Sequence, residues 1–414
     1  MENKHNDDND KRNDNVPTAS ARTKVEEGEE EEEEEEERKK DKDRGLVGLR
    51  NLGNTCFMNA SLQALSGTPP LRHYFASNTY GKELNATNPL GMEGKVALHY
   101  GALVKRMWPR TDVVTPFSFK STIARFSPMF DGYDQHDAQE LLAFVLDGLH
   151  EGLNRVLEKP YVAIPDSNGR ADAQVSREHW EAHLQRNRSV IVDLFTAQLK
   201  STLKLSCCGF VSTKFDPYNM LSLPLPLSGL LTLTLSRGGV SLEECFSRFV
   251  QPESLDGSSM AYCSKCKEHR PATKELQIWT TPSFLIIHLK RLLPTGKLRT
   301  YVDFPVTGLD ISSSSRERDS SSSSMLYDLY GVVNHVGNSY GGHYYAYVAR
   351  RKADGTAGKD WFCFDDDRVE QIGEDEIKTN AAYMLFYHKR VVIVIVIVIV
   401  VVVVAVEWSL LTKV

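Results

Sequence analysis

The chain has 414 residues, of which 49 are Lys or Arg and 55 are Asp or Glu, so its formal net charge is −6. Hydrophobic residues make up 41% of the chain and charged residues 25%, which is typical of a globular protein and excludes fibrous, collagenous and wholly disordered classes. The acidic excess lies in residues 1–44, which hold 18 acidic and 10 basic residues and leave 39 basic and 37 acidic residues for the other 370. A near-neutral body argues against nucleic-acid binding, which favours a basic face.

Residues 1–44 include an unbroken acidic run, Glu29–Glu37. Such a segment has few apolar groups to offset the entropy of ordering, so we predict a disordered, solvated arm. Docking of this arm on a basic partner is the alternative interpretation. From residue 45 the composition changes to mixed apolar and polar segments, which continue to residue 390 and predict one folded domain.

The first half of this body carries helical spacing, and the second half carries strand patterns rich in Val, Ile, Tyr and Phe. Two polar stretches, Asp166–Ser176 and the Ser-rich insertion 311–324, predict surface loops. Helices followed by strands indicate the α+β class. The predicted helices are Cys56–Ala64, Ala138–Leu153 and one around Arg177–Leu194, and the predicted strands are Lys274–Leu289, Tyr327–His335, His343–Arg350 and Tyr383–His388.

The segment Val391–Val406 consists of 16 consecutive apolar residues, nearly all Val and Ile. As a helix it would span about 24 Å, which is less than a hydrocarbon core of about 30 Å, and its Val-Ile alternation also suits a β-aggregating strand. We therefore favour a low-complexity tail over residues 391–414. A membrane anchor flanked by the basic residues 388–390 is the minority interpretation.

Seven cysteines without a regular spacing differ from the framework of a secreted disulfide-rich protein and indicate a reducing compartment. The first residues are polar and charged and have no apolar signal-peptide core, so secretion through this end is not expected. We expect a cytoplasmic or nuclear protein, in which thiols serve as nucleophiles, metal ligands or core residues.

The first chemical motif surrounds Cys56. Asn54 and Thr55 are residues that favour helix N-caps, and apolar residues follow Cys56 at helical spacing, so Cys56 is predicted at a helix N-terminus. There the helix dipole and the free N–H groups favour the nucleophilic thiolate. The same N–H groups and the side-chain amide of Asn51 are suited to stabilise an oxyanion. A buried structural cysteine is the alternative for an isolated Cys at such a position.

Further motifs follow in order along the chain. They are Gly132–Leu142, Phe215–Tyr218 with Leu221–Pro226, Leu285–Arg291, Tyr340–Tyr347 and Trp361–Asp367. Together with the Cys56 segment they resemble the sequence boxes of the ubiquitin-specific proteases, which are papain-like cysteine peptidases that remove ubiquitin from proteins. The resemblance covers residues 45–390 and implies a helical lobe carrying Cys56, a β-rich lobe and a β finger extension.

Cysteine hydrolysis requires an imidazole to take the thiol proton and a third group to orient that imidazole. The resemblance implies His343 as this base, and the two glycines before it allow a close approach to the nucleophile. It implies Asp365, the first of three consecutive aspartates, as the orienting group, with Asp366 as the alternative.

The resemblance also implies the activity, namely thiol-dependent hydrolysis of the isopeptide bond after the C-terminal glycine of ubiquitin, without a catalytic cofactor. The partners would be ubiquitin and ubiquitinated proteins. Two alternatives are an inactive ubiquitin-binding scaffold and a protease for another ubiquitin-like modifier.

Gln135, Asp137 and Glu140 lie at the predicted start of a helix, where acids offset the dipole and cap the first turn. The resemblance implies that this segment lines the channel for ubiquitin's C-terminal tail, so that Asp137 pairs with a backbone amide or an Arg of that tail. Gly341 and Gly342 suit a channel narrow enough to admit only a di-glycine end.

The remaining motif, Cys263-Ser264-Lys265-Cys266, is half of a zinc site. The family usually has a second pair near residues 201–212, but here Cys208 aligns with one ligand and Leu205 occupies the position of the other. Cys207 is a substitute, although adjacent cysteines rarely reach two corners of one tetrahedron. Both a structural zinc site and a metal-free relict site remain open.

Overall fold

A computed structural model describes residues 45–88, 90–108, 112–226, 239–312, 326–351 and 359–390. The predicted arm, 1–44, the predicted tail, 391–414, and residues 313–324 of the Ser-rich insertion lie outside the described residues. Ile311, with which the predicted insertion begins, is buried, so the loop starts later than expected. Within the described ranges, every helix is too short or too polar to cross a membrane.

The helices lie mainly in the first half of the described chain, as predicted. Among them α1 begins at Cys56, as predicted, and α5 begins at Ala138. The helices are α1 (Cys56–Ser66), α2 (Pro69–Ala76), α3 (Lys95–Met107), α4 (Phe117–Phe126), α5 (Ala138–Gly152), α6 (Asp172–Leu184), α7 (Val190–Phe195) and α8 (Leu242–Phe249), with 3-10 turns at Thr79–Lys82, Met92–Gly94, Pro128–Phe130, Gly257–Ser259 and Glu374–Glu376.

Two of the predicted boundaries are wrong. The helix predicted around Arg177–Leu194 is two helices, because Ser189 caps α7 by accepting a hydrogen bond from Val192 N, and α6 already begins at Asp172 inside the stretch predicted as a loop. The strand predicted over Lys274–Leu289 is also two strands, in different sheets. Pro282 lies between them, and proline cannot donate to a strand ladder.

The strands that position the site form one large sheet with the order β17-β16-β15-β14-β18-β9-β3, in which β13 also pairs with β14. Neighbouring strands are antiparallel except β3 and β9. The strands of this sheet are β3 (Leu221–Pro224), β9 (Phe284–Lys290), β13 (Leu309–Asp310), β14 (Leu326–Gly337), β15 (Gly342–Arg351), β16 (Lys359–Asp365), β17 (Arg368–Ile372) and β18 (Ala382–Lys389).

A second sheet, with the order β2-β1-β8-β5, extends from the body and ends in the β6–β7 hairpin. Two small pairs, β4 with β12 and β10 with β11, complete the strands of the described ranges. These strands are β1 (Ala197–Leu205), β2 (Val211–Tyr218), β4 (Val240–Ser241), β5 (Glu253–Leu255), β6 (Ala261–Cys263), β7 (Glu268–Arg270), β8 (Ala272–Ile278), β10 (Leu292–Leu293), β11 (Gly296–Lys297) and β12 (Val302–Asp303).

The helical lobe and the large sheet share one hydrophobic core. Helix α1 is buried along its whole length and lies against β15, with further contacts to β14, β16 and α5. A separate small cluster around Leu205, Cys263 and Ala272 stabilises the far end of the second sheet. This arrangement brings the first residue of α1 next to the start of β15 and the end of β16.

Candidate active site

Cys56 is the first residue of α1 and is 2% exposed. Burial raises the pKa of its thiol and the charge of Asp366 raises it further, whereas hydrogen bonds from the backbone N–H groups of Tyr344, Phe57 and Cys56 lower it. The thiol form is therefore favoured in the free protein. This outcome differs from the expectation that the helix N-terminus favours the thiolate, because burial has the larger effect.

His343 is the second residue of β15, and Asp365 is the last residue of the neighbouring strand β16. Nε2 of His343 lies 2.5 Å from Oδ1 of Asp365, which is a short hydrogen bond. The predicted base and the predicted orienting carboxylate are thus brought together. Because Nε2 is occupied by Asp365, Nδ1 is the nitrogen that remains for the thiol.

Asp366 has a different set of partners from Asp365. Its Oδ2 accepts a hydrogen bond from Nδ2 of Asn51 at 2.8 Å, and its Oδ1 accepts one from Nδ2 of Asn59 at 2.8 Å. Its φ of 52° turns the chain sharply after β16, and its carbonyl accepts from Leu49 N at 2.7 Å. Asp366 therefore ties the segment before Cys56 and helix α1 to the strand that carries Asp365.

The side chain of Asn51 is held at both ends. Its Oδ1 accepts hydrogen bonds from Gly53 N at 2.9 Å and from Thr55 N at 3.0 Å, while Nδ2 faces Asp366. These partners fix which end of the amide is the donor. Nδ2 carries two hydrogens, so one remains for an additional acceptor beside Cys56.

Asp137 caps α5, as predicted, by accepting a hydrogen bond from Gln139 N at 2.8 Å. The hydroxyl of Tyr383 lies 2.7 Å and 2.6 Å from its two carboxylate oxygens. Burial raises the pKa of this carboxyl despite both contacts. In this structure Asp137 is thus engaged inside the protein, where it joins α5 to β18.

Gln135 and the two glycines lie together at the turn between β14 and β15. Oε1 of Gln135 accepts a hydrogen bond from Gly342 N at 2.7 Å. A Cβ on Gly341 would lie 2.9 Å from the same oxygen, and a Cβ on Gly342 would lie 2.2 Å from Val336 O. Gly342 is therefore required by close packing inside the β14–β15 hairpin, whereas Gly341 packs closely against the side chain of Gln135.

The four cysteines at the end of the second sheet form a compact cluster. The adjacent residues Cys207 and Cys208 both reach it, which differs from our expectation that adjacent cysteines rarely do so. Sγ of Cys207 lies 3.4 Å from that of Cys266, and Sγ of Cys208 lies 3.6 Å from that of Cys263. All four sulfurs lie within 4.8 Å of one another. Leu205 stands where the family usually has a cysteine, and it is buried in the small hydrophobic cluster beside the sulfurs. The fourth sulfur of the group comes from Cys207 instead.

Three residues near the site were not predicted to have a role there. Asn59 lies one turn into α1 and bonds Asp366, Tyr344 donates its N–H to Cys56, and Tyr383 bonds Asp137. Asn59 and Tyr344 belong to the motifs that we identified, so their proximity was available from the sequence. Tyr383 lies in a strand pattern with no chemical signal of its own.

Comparisons with known proteins place this architecture in a family. The protein-family model described as ubiquitin carboxyl-terminal hydrolase matches residues 47–387 of this sequence. The chain is 39% identical over 352 residues to human ubiquitin carboxyl-terminal hydrolase 2, which covers 83% of this chain and 55% of that protein. It is 53% identical over 195 residues to human ubiquitin carboxyl-terminal hydrolase 32, which covers 47% of this chain and 12% of that protein.

Solved structures agree with the predicted fold. The yeast SAGA DUBm with an Sgf73 mutant matches with a TM-score of 0.61 and 26% identity over 85% of this chain and 70% of that one. The SAGA Ubp8/Sgf11/Sus1/Sgf73 DUB module bound to ubiquitin aldehyde matches with a TM-score of 0.60 and 24% identity, over 85% and 71%.

These likenesses confirm the α+β papain-like fold with a finger extension. The chain spans about half the length of the curated relatives it matches first. Because the family model spans most of the sequence, the chain belongs to the ubiquitin carboxyl-terminal hydrolase family.

Proposed function

We propose that this chain is a thiol-dependent deubiquitinase that hydrolyses the isopeptide bond after the C-terminal glycine of ubiquitin. The observation that carries the proposal is the His343–Asp365 pair, joined at 2.5 Å. The residues that follow this pair in the sequence act on Cys56, because Tyr344 donates its backbone N–H to the sulfur and Asp366 places its charge near it. The curated relatives are named ubiquitin carboxyl-terminal hydrolases, and one structural neighbour is bound to ubiquitin aldehyde. Ubiquitin and ubiquitinated proteins are the proposed partners.

In the proposed reaction, Nδ1 of His343 takes the proton of Cys56, and the sulfur attacks the carbonyl carbon of the terminal glycine. The C–N bond then breaks, and the leaving lysine amine takes the proton back from His343. Next, His343 removes a proton from water as the water oxygen attacks the thioester carbonyl carbon. The C–S bond then breaks, the Cys56 sulfur takes the proton back from His343, and ubiquitin leaves with a free C-terminal carboxyl group, which ionises in solution. Asp365 keeps the imidazole oriented in both steps.

Each tetrahedral intermediate places a negative charge on the former carbonyl oxygen. Nδ2 of Asn51 and the backbone N–H groups at the start of α1 are the proposed donors to this oxygen, since such donors act best when they are oriented beforehand. Asp366 supplies that orientation by accepting one of the two Nδ2 hydrogens.

The proposed channel for the ubiquitin tail runs past Gln135, Gly341 and Gly342. A tail that ends in two glycines suits this passage, because Gly341 and Gly342 allow a close approach of the two backbones. For Asp137 we propose that its hydrogen bond to Tyr383 holds the channel wall in position. To pair with an Arg of the ubiquitin tail, the Asp137 carboxylate would have to give up the hydrogen bond from Tyr383.

The test is incubation of the protein with ubiquitin that carries a C-terminal electrophile. We expect a covalent adduct at Cys56, lost in Cys56→Ala and kept in the matched control Cys245→Ala, whose sulfur is buried in α8. Ubiquitin binding without an adduct would instead identify a binding scaffold. An adduct formed only with another ubiquitin-like modifier would identify a protease for that modifier.

We also propose that Cys207, Cys208, Cys263 and Cys266 hold a structural zinc ion. With zinc–sulfur distances of about 2.3 Å, the sulfurs of a tetrahedral site lie about 3.8 Å apart, close to the 3.4 Å and 3.6 Å found between the two pairs. Hydrogen bonding from Cys266 N lowers the pKa of Cys263 to about 7. With four protein ligands, the ion would stabilise the end of the second sheet and take no part in hydrolysis.

Zinc content of the purified protein tests this site. We expect about one zinc per chain, reduced severalfold in Cys207→Ser and unchanged in Cys363→Ser, whose sulfur lies in the large sheet. A wild-type zinc content near zero would exclude the site.

For the compartment we propose the cytoplasm or the nucleus, because all seven cysteines are free thiols.

A further inference from the structure

The four cysteines at the end of the second sheet, which we call the cysteine cluster, differ in their exposure to solvent. Cys207 is exposed, Cys208 and Cys266 are partly buried, and Cys263 is buried. Cys207 is also the member that departs from the family spacing, since Leu205 stands where a cysteine is usual. A small solute that approaches the cluster therefore meets the sulfur of Cys207 first.

The sulfurs of the cluster form two close pairs that join the same two segments. Sγ of Cys207 lies 3.4 Å from that of Cys266, and Sγ of Cys208 lies 3.6 Å from that of Cys263. Cys207 and Cys208 belong to the turn after β1, whereas Cys263 ends β6 and Cys266 lies in the turn of the β6–β7 hairpin. The sulfur–sulfur distance of a disulfide is about 2.05 Å, so each pair would close by about 1.5 Å.

The alternative pairings within each segment are less suitable. Cα atoms of adjacent residues lie about 3.8 Å apart across a trans peptide bond, below the range of about 4.4 to 6.8 Å found in disulfides. A disulfide between Cys207 and Cys208 would therefore be strained. A disulfide between Cys263 and Cys266 would leave Cys207 and Cys208 with only each other, so two unstrained disulfides require pairing between the two segments.

We propose that the cysteine cluster is a peroxide-sensitive modification site, in which oxidation exchanges the metal ligands for the disulfides Cys207–Cys266 and Cys208–Cys263. The proposal takes its starting state from the proposed zinc site. Coordination to zinc keeps thiols deprotonated, and exposed thiolates are the most susceptible to oxidation. Each disulfide removes two of the four thiolate ligands.

The reaction begins at Cys207, and its oxidant is hydrogen peroxide. The Cys207 thiolate attacks one peroxide oxygen, the O–O bond breaks, and hydroxide leaves, so that Cys207 becomes a sulfenic acid. The Cys266 thiolate then attacks Sγ of Cys207, the S–S bond forms, and a second hydroxide leaves. One peroxide thus takes two electrons from one pair of sulfurs, and a second peroxide oxidises Cys208 and Cys263 in the same way.

The proposed disulfides preserve a link that the metal would otherwise supply. Within the described ranges, β6 and β7 form ladder pairs only with each other. The hairpin is joined to the turn after β1 by the cysteine cluster and by the small hydrophobic cluster around Leu205. Because both disulfides connect the hairpin to that turn, the oxidised end of the sheet stays attached after the metal ligands are lost.

The experiment treats the purified full chain with hydrogen peroxide, blocks the remaining thiols with N-ethylmaleimide and maps disulfides by mass spectrometry without reduction. Cys207→Ser should form only the Cys208–Cys263 link and leave Cys266 blocked, whereas Cys208→Ser should form only the Cys207–Cys266 link and leave Cys263 blocked. Cys363→Ser, whose sulfur lies in the large sheet, is the matched control and should give the wild-type pattern. A zinc-binding dye should detect about one zinc released per wild-type chain.

Hydrogen–deuterium exchange of residues 261–270 tests the preserved link. Exchange in the oxidised chain should match that of the untreated chain, whereas a chelator with a reductant should speed it severalfold. The proposal is overturned if peroxide links Cys207 to Cys208 or Cys263 to Cys266, if it yields sulfinic acids without disulfides, or if the oxidised hairpin exchanges as fast as the chelated one. A zinc-free preparation would contradict the zinc site alone, because the same peptides still decide the pairing.

Discussion

Cys56 occupies a position in which burial and a neighbouring carboxylate oppose ionisation of the thiol. The thiolate is the nucleophilic form, so a protein in which the thiol is favoured depends on His343 to remove the proton during the reaction. Asp366 takes part in two opposing effects. Its charge raises the pKa of Cys56, while its oxygens orient Asn51 and Asn59.

The first prediction concerns the charge of Asp366. The raised pKa of Cys56 means that the thiolate fraction, and therefore the rate of alkylation by iodoacetamide, continues to increase with pH into the alkaline range. Asp366→Asn removes a negative charge near the sulfur, lowers this pKa and should shift the alkylation profile to lower pH. Mass spectrometry of the Cys56 peptide measures the rate, and a profile shifted to higher pH would contradict the assignment.

The second prediction separates that effect from catalysis. In Asp366→Asn the amide of Asn51 loses its carboxylate partner but remains present, so kcat for a ubiquitin substrate should fall by about 10- to 100-fold, less than the about 100- to 1,000-fold found when an oxyanion donor itself is removed. The loss should occur although more thiolate is present. Asp367→Asn is the matched control and should retain most of the activity, since Asp367 contributes only backbone atoms near Gly48.

The catalytic side chains were accessible to sequence reasoning because each lies in a short motif with its own chemical logic. The supporting contacts were less accessible. Tyr383 meets Asp137 only because β18 and α5 come together in the fold, and no local pattern near Tyr383 indicates that contact. The raised pKa of Cys56 was missed for a related reason, since burial depends on packing by distant strands.

The β14–β15 hairpin sets the position of His343. Gly342 begins β15 directly before His343, and a Cβ on it would lie 2.2 Å from Val336 O and 2.3 Å from Nε2 of His335. No rotation of a side chain relieves the contact with a backbone oxygen. The strand would have to shift, and the base would shift with it.

The third prediction follows from this contact. Gly342→Ala should lower kcat/KM by about 100-fold, because displacement of a catalytic group by about 1 Å has an effect of that size. Gly81→Ala, where the nearest atom to an added Cβ is 3.6 Å away, should leave kcat/KM unchanged. Circular dichroism checks that both variants fold, and wild-type activity in folded Gly342→Ala would refute the role of the close contact.

Sequence patterns predicted β14 and β18 of the large sheet well, because their Val, Ile, Tyr and Phe residues are buried on both faces. They predicted helix and strand ends less well where one residue ends an element, as Ser189 and Pro282 do. Sequence patterns also did not predict that all four cysteines come together. Whether Cys207 reaches its partners depends on the turn after β1, in which Gly209 N bonds Leu205 O.

The large sheet separates the catalytic end of the protein from the point where the Val/Ile tail begins. His343 lies at the start of β15 and Asp365 at the end of β16, whereas β18 leaves the sheet at Lys389, beside Tyr327 of β14. The described chain therefore ends at Arg390, at the end of the sheet opposite His343.

The acidic arm joins the body at Gly45, which contacts Trp108 and Arg350 at a distance from Cys56 along β15. The body without the arm has a net charge near zero, so long-range steering of ubiquitin by overall charge is weak.

The fourth prediction is that deletion of residues 1–44 changes kcat/KM for a minimal ubiquitin substrate by less than about twofold, the change expected when no steering field is lost. A large loss of activity in the deletion variant would show that the arm contributes to the site.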